Sequence, residues 1–382
     1  MRDSFLPFSP PLIDDDEIQE VVDSLRSGWI TTGPKCRQFE ESFAARLEAP
    51  GALALNSYTA ALHTALAVLG VGPGDEVITT TMTFCSTVGV IEHVGATPVL
   101  VDIEPDTLNM DPARVAEAVS ERTKVILPVH YAGHPCDMDA IRSLAVTHEI
   151  AIIEDAAHSL PAKYKDTWIG QADNPACFSF YATKNLTTAE GGMLTGSPEF
   201  LEKARVASLH GMSRDAWKRY DKGGSWYYEV VMPGFKYNMP DIMAAMGLAQ
   251  MRKLERMQER RRAIVARYLE ELADLPLILP VERDEVESAW HLFPIRLKLD
   301  ELSIDRNGFI DHLAGQNIGT SVHFIPIHTH PYFRTKYNWP DSDFPQAMAA
   351  YESLVTIPLN PSLSDDDVTD VVTAVRQALG RS

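Results

Sequence analysis

Cysteine is scarce in this chain of 382 residues: Cys36, Cys85, Cys136 and Cys177 are scattered, with no Cys-x-x-Cys pair among them. Sparse thiols without a pairing pattern suit a reducing cytoplasm. Positive charge is also short. Lysine and arginine number 34 against 53 acids, a formal net charge of −19. No basic field exists to draw in phosphate backbones or anionic headgroups, which argues against nucleic acid and membrane surfaces as partners. An anionic substrate then needs a local basic pocket. No apolar run approaches the length of a membrane span, and Met1-Arg2-Asp3-Ser4 leads into no apolar segment of the signal-peptide kind. Internal repeats and low-complexity tracts are missing as well. What is present is 45% hydrophobic residues in a long chain, enough for a sizeable core and two domains.

Residues 1–13, rich in Pro and Phe, read as an extended arm. Asp14-Asp15-Asp16-Glu17 then opens a helix. Its acids complement the helix dipole, Ile18, Val21, Val22 and Leu25 keep helical spacing, and Gly28 ends it. A Gly-Pro-bounded loop follows from Gly28 to Pro34 and holds Trp29. Strands predicted at 52–55, 76–80, 98–103, 125–129 and 151–155 alternate with helices at 59–69, 84–94 and 138–148. A strand at 191–195 and a helix at 198–209 follow. This rhythm predicts an α/β fold with a doubly wound, mainly parallel sheet. Residues 210–238 are charged, aromatic and Gly-rich, a long connection of the kind that is functional or forms an interface. They read as a loop reaching across a dimer. A helix over 241–268 leads to short strands at 291–299 and 320–324, with helices at 309–314, 344–354 and 368–379. The expected division is an arm at 1–13, a large α/β domain at 14–250 and a smaller α+β domain at 251–382.

Two stretches organise the rest. Ala151-Ile152-Ile153-Glu154-Asp155 is an apolar run without alternation, as in a parallel strand covered on both faces, and it ends in an acid. A carboxylate at such a strand end points into the crevice where open α/β sheets bind ligands. Cys177-Phe178-Ser179-Phe180 is a second apolar strand, running into a Thr-Lys-Asn turn that carries Lys184. Singly, Asp155 reads more readily as a helix cap and Lys184 as a solvated loop charge. Together they suit pyridoxal phosphate, which needs a lysine to carry it and an acid to keep its ring nitrogen protonated.

With Glu154-Asp155-Ala156-Ala157-His158, Phe178-Ser179-Phe180 and Lys184-Asn185, the chain resembles the DegT-type nucleotide-sugar aminotransferases, which are fold-type-I pyridoxal-phosphate enzymes. The likeness runs from Phe5-Leu6-Pro7-Phe8 to the last helix. It implies catalytic roles for Lys184 and Asp155. It also implies a phosphate site at Ser57, Tyr58 and Thr59, where a strand-to-helix turn offers free N–H groups to an anion. Tyr58 departs from the small residue many relatives carry there. Phe84 matches the aromatic that stacks on the pyridine ring, His158 a contact to that ring or its phenolic oxygen, and Ser179 a phosphate contact. Asn238 resembles the asparagine that reaches the phosphate of the partner subunit, which implies a homodimer with shared active sites. Trp29, Glu190, Lys218, Arg219 and His328 are carried as substrate contacts.

Two histidine groups, His130 with His134 and Cys136, and His323 with His328 and His330, imitate metal sites, but the resemblance assigns them to loops, and no metal is expected. Thr187-Thr188-Ala189-Glu190-Gly191-Gly192 looks like the branch that aminates 4-keto sugars. Gly28–Pro34, Val129–Gly133 and Gly319–Phe324 add likeness to UDP-4-amino-4-deoxy-L-arabinose aminotransferase and to enzymes of dTDP-4-keto-6-deoxyhexoses. The function implied is transfer of an amine from L-glutamate to a UDP- or dTDP-linked 4-keto sugar. Three alternatives stand beside it: sugar 3-dehydration, a non-catalytic regulator, and amination of a cyclitol ketone or 3-keto sugar. Lys184 argues against the first, where the lysine is replaced by histidine, and the pair Lys184 and Asp155 against the second. The third stays open.

Overall fold

The central β-strands of the N-terminal half, such as Ala52–Leu55 and Glu76–Thr80, are buried on both faces because helices cover both. The computed structural model describes residues 2–212 and 227–380. Strands β1 (Ala52–Leu55), β2 (Glu76–Thr80), β3 (Thr97–Val101), β4 (Thr123–Leu127), β5 (Ala151–Ile152) and β6 (Glu154–Asp155) alternate with helices α3 (Tyr58–Val68), α4 (Cys85–His93), α5 (Pro112–Ala118) and α6 (Met138–His148), preceded by α1 (Asp15–Ser27) and α2 (Pro34–Leu47). A small hairpin, β7 (Lys163–Tyr164) and β8 (Thr167–Trp168), precedes β9 (Ala176–Ser179) and β10 (Gly192–Thr195), and α7 (Pro198–Ala207) follows. β3, β2, β4 and β5 lie side by side in parallel. β6 pairs in parallel with β9, and β10 lies antiparallel between β9 and β1. Only Ile153 separates β5 from β6, and a parallel bridge from Val129 to Asp155 joins the two halves into one sheet. Among the described residues β10 is its one antiparallel strand, so the doubly wound, mainly parallel sheet is observed.

Each face has its own core. Phe39 and Phe43 of α2 pack on Phe178 and Phe180, with the Phe43 and Phe178 ring centroids 5.0 Å apart. On the opposite face, Leu62, Ala65 and Leu66 of α3 meet Leu53, Val77, Leu127 and Leu194. α2 was not among the expected helices, although Pro34 at its first turn and Phe39, Phe43 and Leu47 at four-residue spacing are a helix signal. Its N-terminus is capped from afar. The Asp241 carboxylate accepts from the N–H groups of Gly33, Lys35 and Cys36 at 2.7–3.0 Å, which satisfies donors the local sequence leaves bare.

Asp241 itself begins α8 (Asp241–Glu271). Leu254 and Met257 of this helix belong to the large core, whereas Ile264, Val265 and Tyr268 belong to a second core. The boundary expected at 250 therefore falls inside one helix, and packing changes partner between Met257 and Ile264. The second core is built on β11 (Leu277–Ile278), β13 (Phe293–Leu297) and β14 (Leu354–Ile357), with α9 (Arg306–Gly315) and α12 (Asp365–Ala378). Between them β12 (Val286–Glu287) returns to pair with β7, so the chain crosses back to the first unit. α10 (Pro331–Tyr337) and α11 (Pro345–Ser353) complete the chain's helices among the described residues. Two expectations fail here. Residues 320–324 form no regular strand and keep one bridge, Ser321 to Thr356, while Leu354, expected to close a helix, opens β14. The N-terminal arm is stitched to this unit: Leu6 exchanges backbone bonds with Asn317 and Gly319, and the Phe8 ring stacks on His323 at 5.4 Å.

Candidate active site

Asp155 ends β6 at the crevice, 3% exposed. The Thr87 hydroxyl donates to its Oδ2 at 2.8 Å, and the Ala157 N–H to its Oδ1 at 3.2 Å. Burial raises its pKa, while donors from Tyr58, Thr87 and Ala157 and the Lys184 charge oppose the rise. Lys184 lies in the turn after β9, which is closed by bonds from Phe180 N to Gly191 O and from Thr188 N to Phe180 O. Desolvation pulls its pKa down to about 8 against the pull of Asp155. The acid and the lysine lie within electrostatic reach of each other and form one site.

Three neutral imidazoles border it. His158 is buried, and its Nδ1 accepts from the Ala132 N–H at 3.3 Å, which leaves the neutral ring's proton on Nε2. Burial holds His158 well below its ordinary pKa, and the Lys184 charge adds to this. Its ring stacks on Phe324 at 5.8 Å and lies 4.4 Å from His291. Asn185, next to the lysine, donates to Ala289 O at 2.8 Å and turns its Oδ1 to His291 Nδ1 at 3.0 Å. The buried Arg261 donates to the carbonyls of Leu359 at 2.9 Å and of Trp290 and His291 at 3.4 Å, which fixes that segment. His323, pushed by burial down to about 4, is held by Thr356 at 3.0 Å. Tyr131 donates to its carbonyl.

At the other end, Ser57 caps α3 by accepting from Ala60 N at 3.1 Å. The N–H groups of Tyr58 and Thr59 lie in the first turn, beyond the reach of any helical carbonyl. Gly192 pairs with Ser179 and runs so close to this turn that an added Cβ would sit 2.7 Å from the backbone of Ser57 and Tyr58. Ser57, Thr59 and Ser179 are thereby gathered around one anion-ready cradle. Phe84, just before α4, leaves 58% of its surface open and lies 6.2 Å from the Phe324 ring. An exposed phenyl face, an acid, a desolvated lysine and a cradle for an anion match the parts of pyridoxal phosphate. The site fits the group.

Other expected contacts fare differently. The Tyr58 side chain turns inward, away from the cradle, and reaches Thr87 Oγ1 at 3.5 Å. Asn238 lies beside its own chain's β1, bridged to Leu55, with its side chain bonded to Thr32 at 2.7 Å and Lys236 at 2.6 Å. Trp29, 43% exposed, donates to Thr32 O at 3.1 Å, so it shares a surface with Asn238. Glu190 is exposed at the end of the lysine loop. Lys218 and Arg219 lie outside the described residues. His328 corrects an expectation: its ring is fully buried, 2.7 Å from Thr81 Oγ1 and stacked on Phe344, which leaves no face for a substrate. His130 is equally buried. Its Nδ1 accepts from Cys136 N and its Nε2 meets Glu154 at 2.8 Å, a brace between strand ends. Among the described residues no group of three or more His, Cys, Asp or Glu is arranged to hold a metal.

The family model described as the DegT/DnrJ/EryC1/StrS aminotransferase family matches residues 11–376. The chain belongs to that family. This sugar aminotransferase is 51% identical over 378 residues to the spore coat polysaccharide biosynthesis protein SpsC of Bacillus subtilis, covering 98% of this chain and 97% of SpsC. Spr1654 of Streptococcus pneumoniae in its PMP form superposes with a TM-score of 0.92 at 39% identity, covering 98% of this chain and 99% of that one. Its PLP form gives 0.91. PseC of Helicobacter pylori, an aminotransferase involved in the biosynthesis of pseudoaminic acid, gives 0.90 at 27% identity, with 99% and 100% covered. The cofactor of this aminotransferase is pyridoxal phosphate, and the fold is that of the fold-type-I enzymes. No helix among the described residues is long and apolar enough to cross a membrane. Sequence reasoning missed Thr87 and His291, and it placed His323 only in a loop that imitates a metal site. Thr87 stands one helical turn after Thr83 in an apolar helix, the one local signal available for it.

Proposed function

We propose that this aminotransferase moves the amine of L-glutamate to a nucleotide-linked 4-keto sugar, UDP- or dTDP-bound, and releases a 4-amino sugar and 2-oxoglutarate. The observation that carries the reading is a desolvated Lys184 within electrostatic reach of a buried Asp155. When bound, pyridoxal phosphate supplies an aldehyde that exchanges amines and a ring that takes up electrons. Lys184 holds that aldehyde between turnovers. Once free of it, its Nζ would take the proton from the donor carbon and return it two bonds away, across the nitrogen, a task suited to a pKa of about 8. Asp155 keeps the ring nitrogen protonated, Phe84 covers one ring face, and His158 offers Nε2–H to the ring's phenolic edge. Ser57, Thr59 and Ser179 take the phosphate. Each half-reaction runs the same steps in opposite directions, so the kinetics are ping-pong.

The sugar half of the reading rests on likeness to polysaccharide-pathway relatives such as SpsC. A homodimer with Asn238 serving the partner's site fits the exposed apolar side chains of Phe5, Ile30, Tyr181, Val230 and Val231. Four free thiols, three of them buried, fit a cytoplasmic setting. The test is an absorbance titration of the holoenzyme. The visible band of the bound cofactor should bleach with L-glutamate and return with one UDP- or dTDP-4-keto sugar. Return only with a cyclitol ketone or a 3-keto sugar would replace the substrate. A protein that acquires no band from added pyridoxal phosphate would overturn the reading.

A further inference from the structure

Behind Asp155 lies a set of hydroxyls that the reaction as described leaves without a task. Thr83, Thr87 and Tyr58 are all buried. Thr87 Oγ1 is 2.8 Å from Asp155 Oδ2, 2.9 Å from Thr83 Oγ1 and 3.5 Å from the Tyr58 hydroxyl. An ionised carboxylate only accepts, so the Thr87 proton points to Asp155. That frees both lone pairs of Thr87 to accept from Thr83 and from Tyr58. Thr83 and Tyr58 therefore converge on Thr87 and polarise its hydroxyl toward the carboxylate, and Tyr58 also lies close enough to Asp155 to favour its charge directly. Oδ1 takes the Ala157 N–H and keeps a lone pair for the pocket.

We propose that Thr83 and Tyr58, converging on Thr87, form a hydroxyl relay that holds Asp155 ionised and oriented, so that Thr87 and Tyr58 are positioning residues for the acid that binds the cofactor's ring nitrogen. A buried carboxylate without such donors takes a proton to escape desolvation. The shared proton then moves from the ring nitrogen toward Asp155, and the ring loses its pull on electrons. Tyr58 thus serves the cofactor from beneath the acid, where sequence likeness had put it beside the phosphate. The inference rests on the cofactor reading above, and its test separates the two.

The experiment loads wild type, Thr87→Val, Thr87→Ser and Tyr58→Phe with pyridoxal phosphate labelled with 15N in the ring. It measures the 15N chemical shift and, separately, the dissociation constant for pyridoxal phosphate. Wild type should show a protonated ring nitrogen; an unprotonated one there would sink the cofactor reading itself. Thr87→Val should move the shift toward unprotonated pyridine and weaken binding about ten- to a hundredfold, the scale of a lost hydrogen bond to a charged group. Tyr58→Phe should move both the same way by less, and Thr87→Ser should restore both. Wild-type shift and affinity in Thr87→Val, or a larger effect from Tyr58→Phe than from Thr87→Val, would overturn the relay. Should Thr87→Val fail to fold, Tyr58→Phe decides, and its indifference in both measurements would overturn the proposal.

Discussion

Lys184 carries the strongest prediction at the scale of one residue. Its folded pKa is about 8, against 10.5 for an unburied lysine, because the amine is desolvated. Below pH 8 both folded and unfolded chains carry the charge, and the fold bears the cost of burying it. Between pH 8 and 10.5 the folded lysine loses its proton while the unfolded one keeps it, so stability rises with pH across that window. In the cofactor-free protein, Lys184→Met should therefore stabilise at pH 7, and the gain should shrink as pH passes 8 toward 10. Urea midpoints of the two proteins at both pH values give the answer, and a constant difference would mean the amine is not desolvated. The same substitution should lower kcat by at least about a hundredfold, the lower scale of a lost general base. Asp155 and Lys184 were legible because acid, lysine and flanking strands sit in short continuous stretches. His291 was not: it lies 106 residues from Asn185, its hydrogen-bond partner, and nothing local marks a histidine just ahead of an apolar strand as more than core.

At the scale of elements, the cofactor cradle depends on β10 running against the start of α3. Gly192 makes this approach possible because a Cβ there would lie 2.7 Å from backbone atoms that no rotamer change can move. Gly192→Ala should push the two elements apart, costing about 1–3 kcal/mol of stability, the usual range for overpacking. Affinity for pyridoxal phosphate should fall more than affinity for the donor amino acid. Thermal denaturation and a cofactor titration check the two parts, and a variant with unchanged cofactor affinity would remove the cradle from the phosphate's site. The alternation of strands and helices to Asp155 was readable because each buried strand is a compact apolar run bounded by turn residues. β14 was not, since Ala347 and Ala350 of α11 pass into Leu354–Ile357 with no Gly or Pro between them. The 320–324 segment misled in the opposite way. Its strand-like composition serves a single bridge and a row of aromatic contacts around His323 and Phe324.

At the scale of the whole molecule, the two units are threaded through each other, which a reading in chain order cannot see. The arm joins the C-terminal unit, β12 returns to the large one, and α8 serves both cores. The assembly proposed adds a further level. If Asn238 serves the partner's phosphate, then Lys184→Ala and Asn238→Ala are each impaired as homodimers but complementary when mixed. In a heterodimer, the site built on the Asn238→Ala chain has its own Lys184 and receives an intact Asn238 from the other chain. The opposite site lacks both. Equal mixing with random reassociation makes about half the dimers mixed, each with one working site, so about a quarter of wild-type activity should return. Asn238 in its own chain already sits beside Leu55 and bonds Thr32 and Lys236, which makes the alternative concrete. Mixed protein no more active than the mean of the two homodimers would mean that Asn238 acts within its own chain, and that each subunit builds its phosphate site alone.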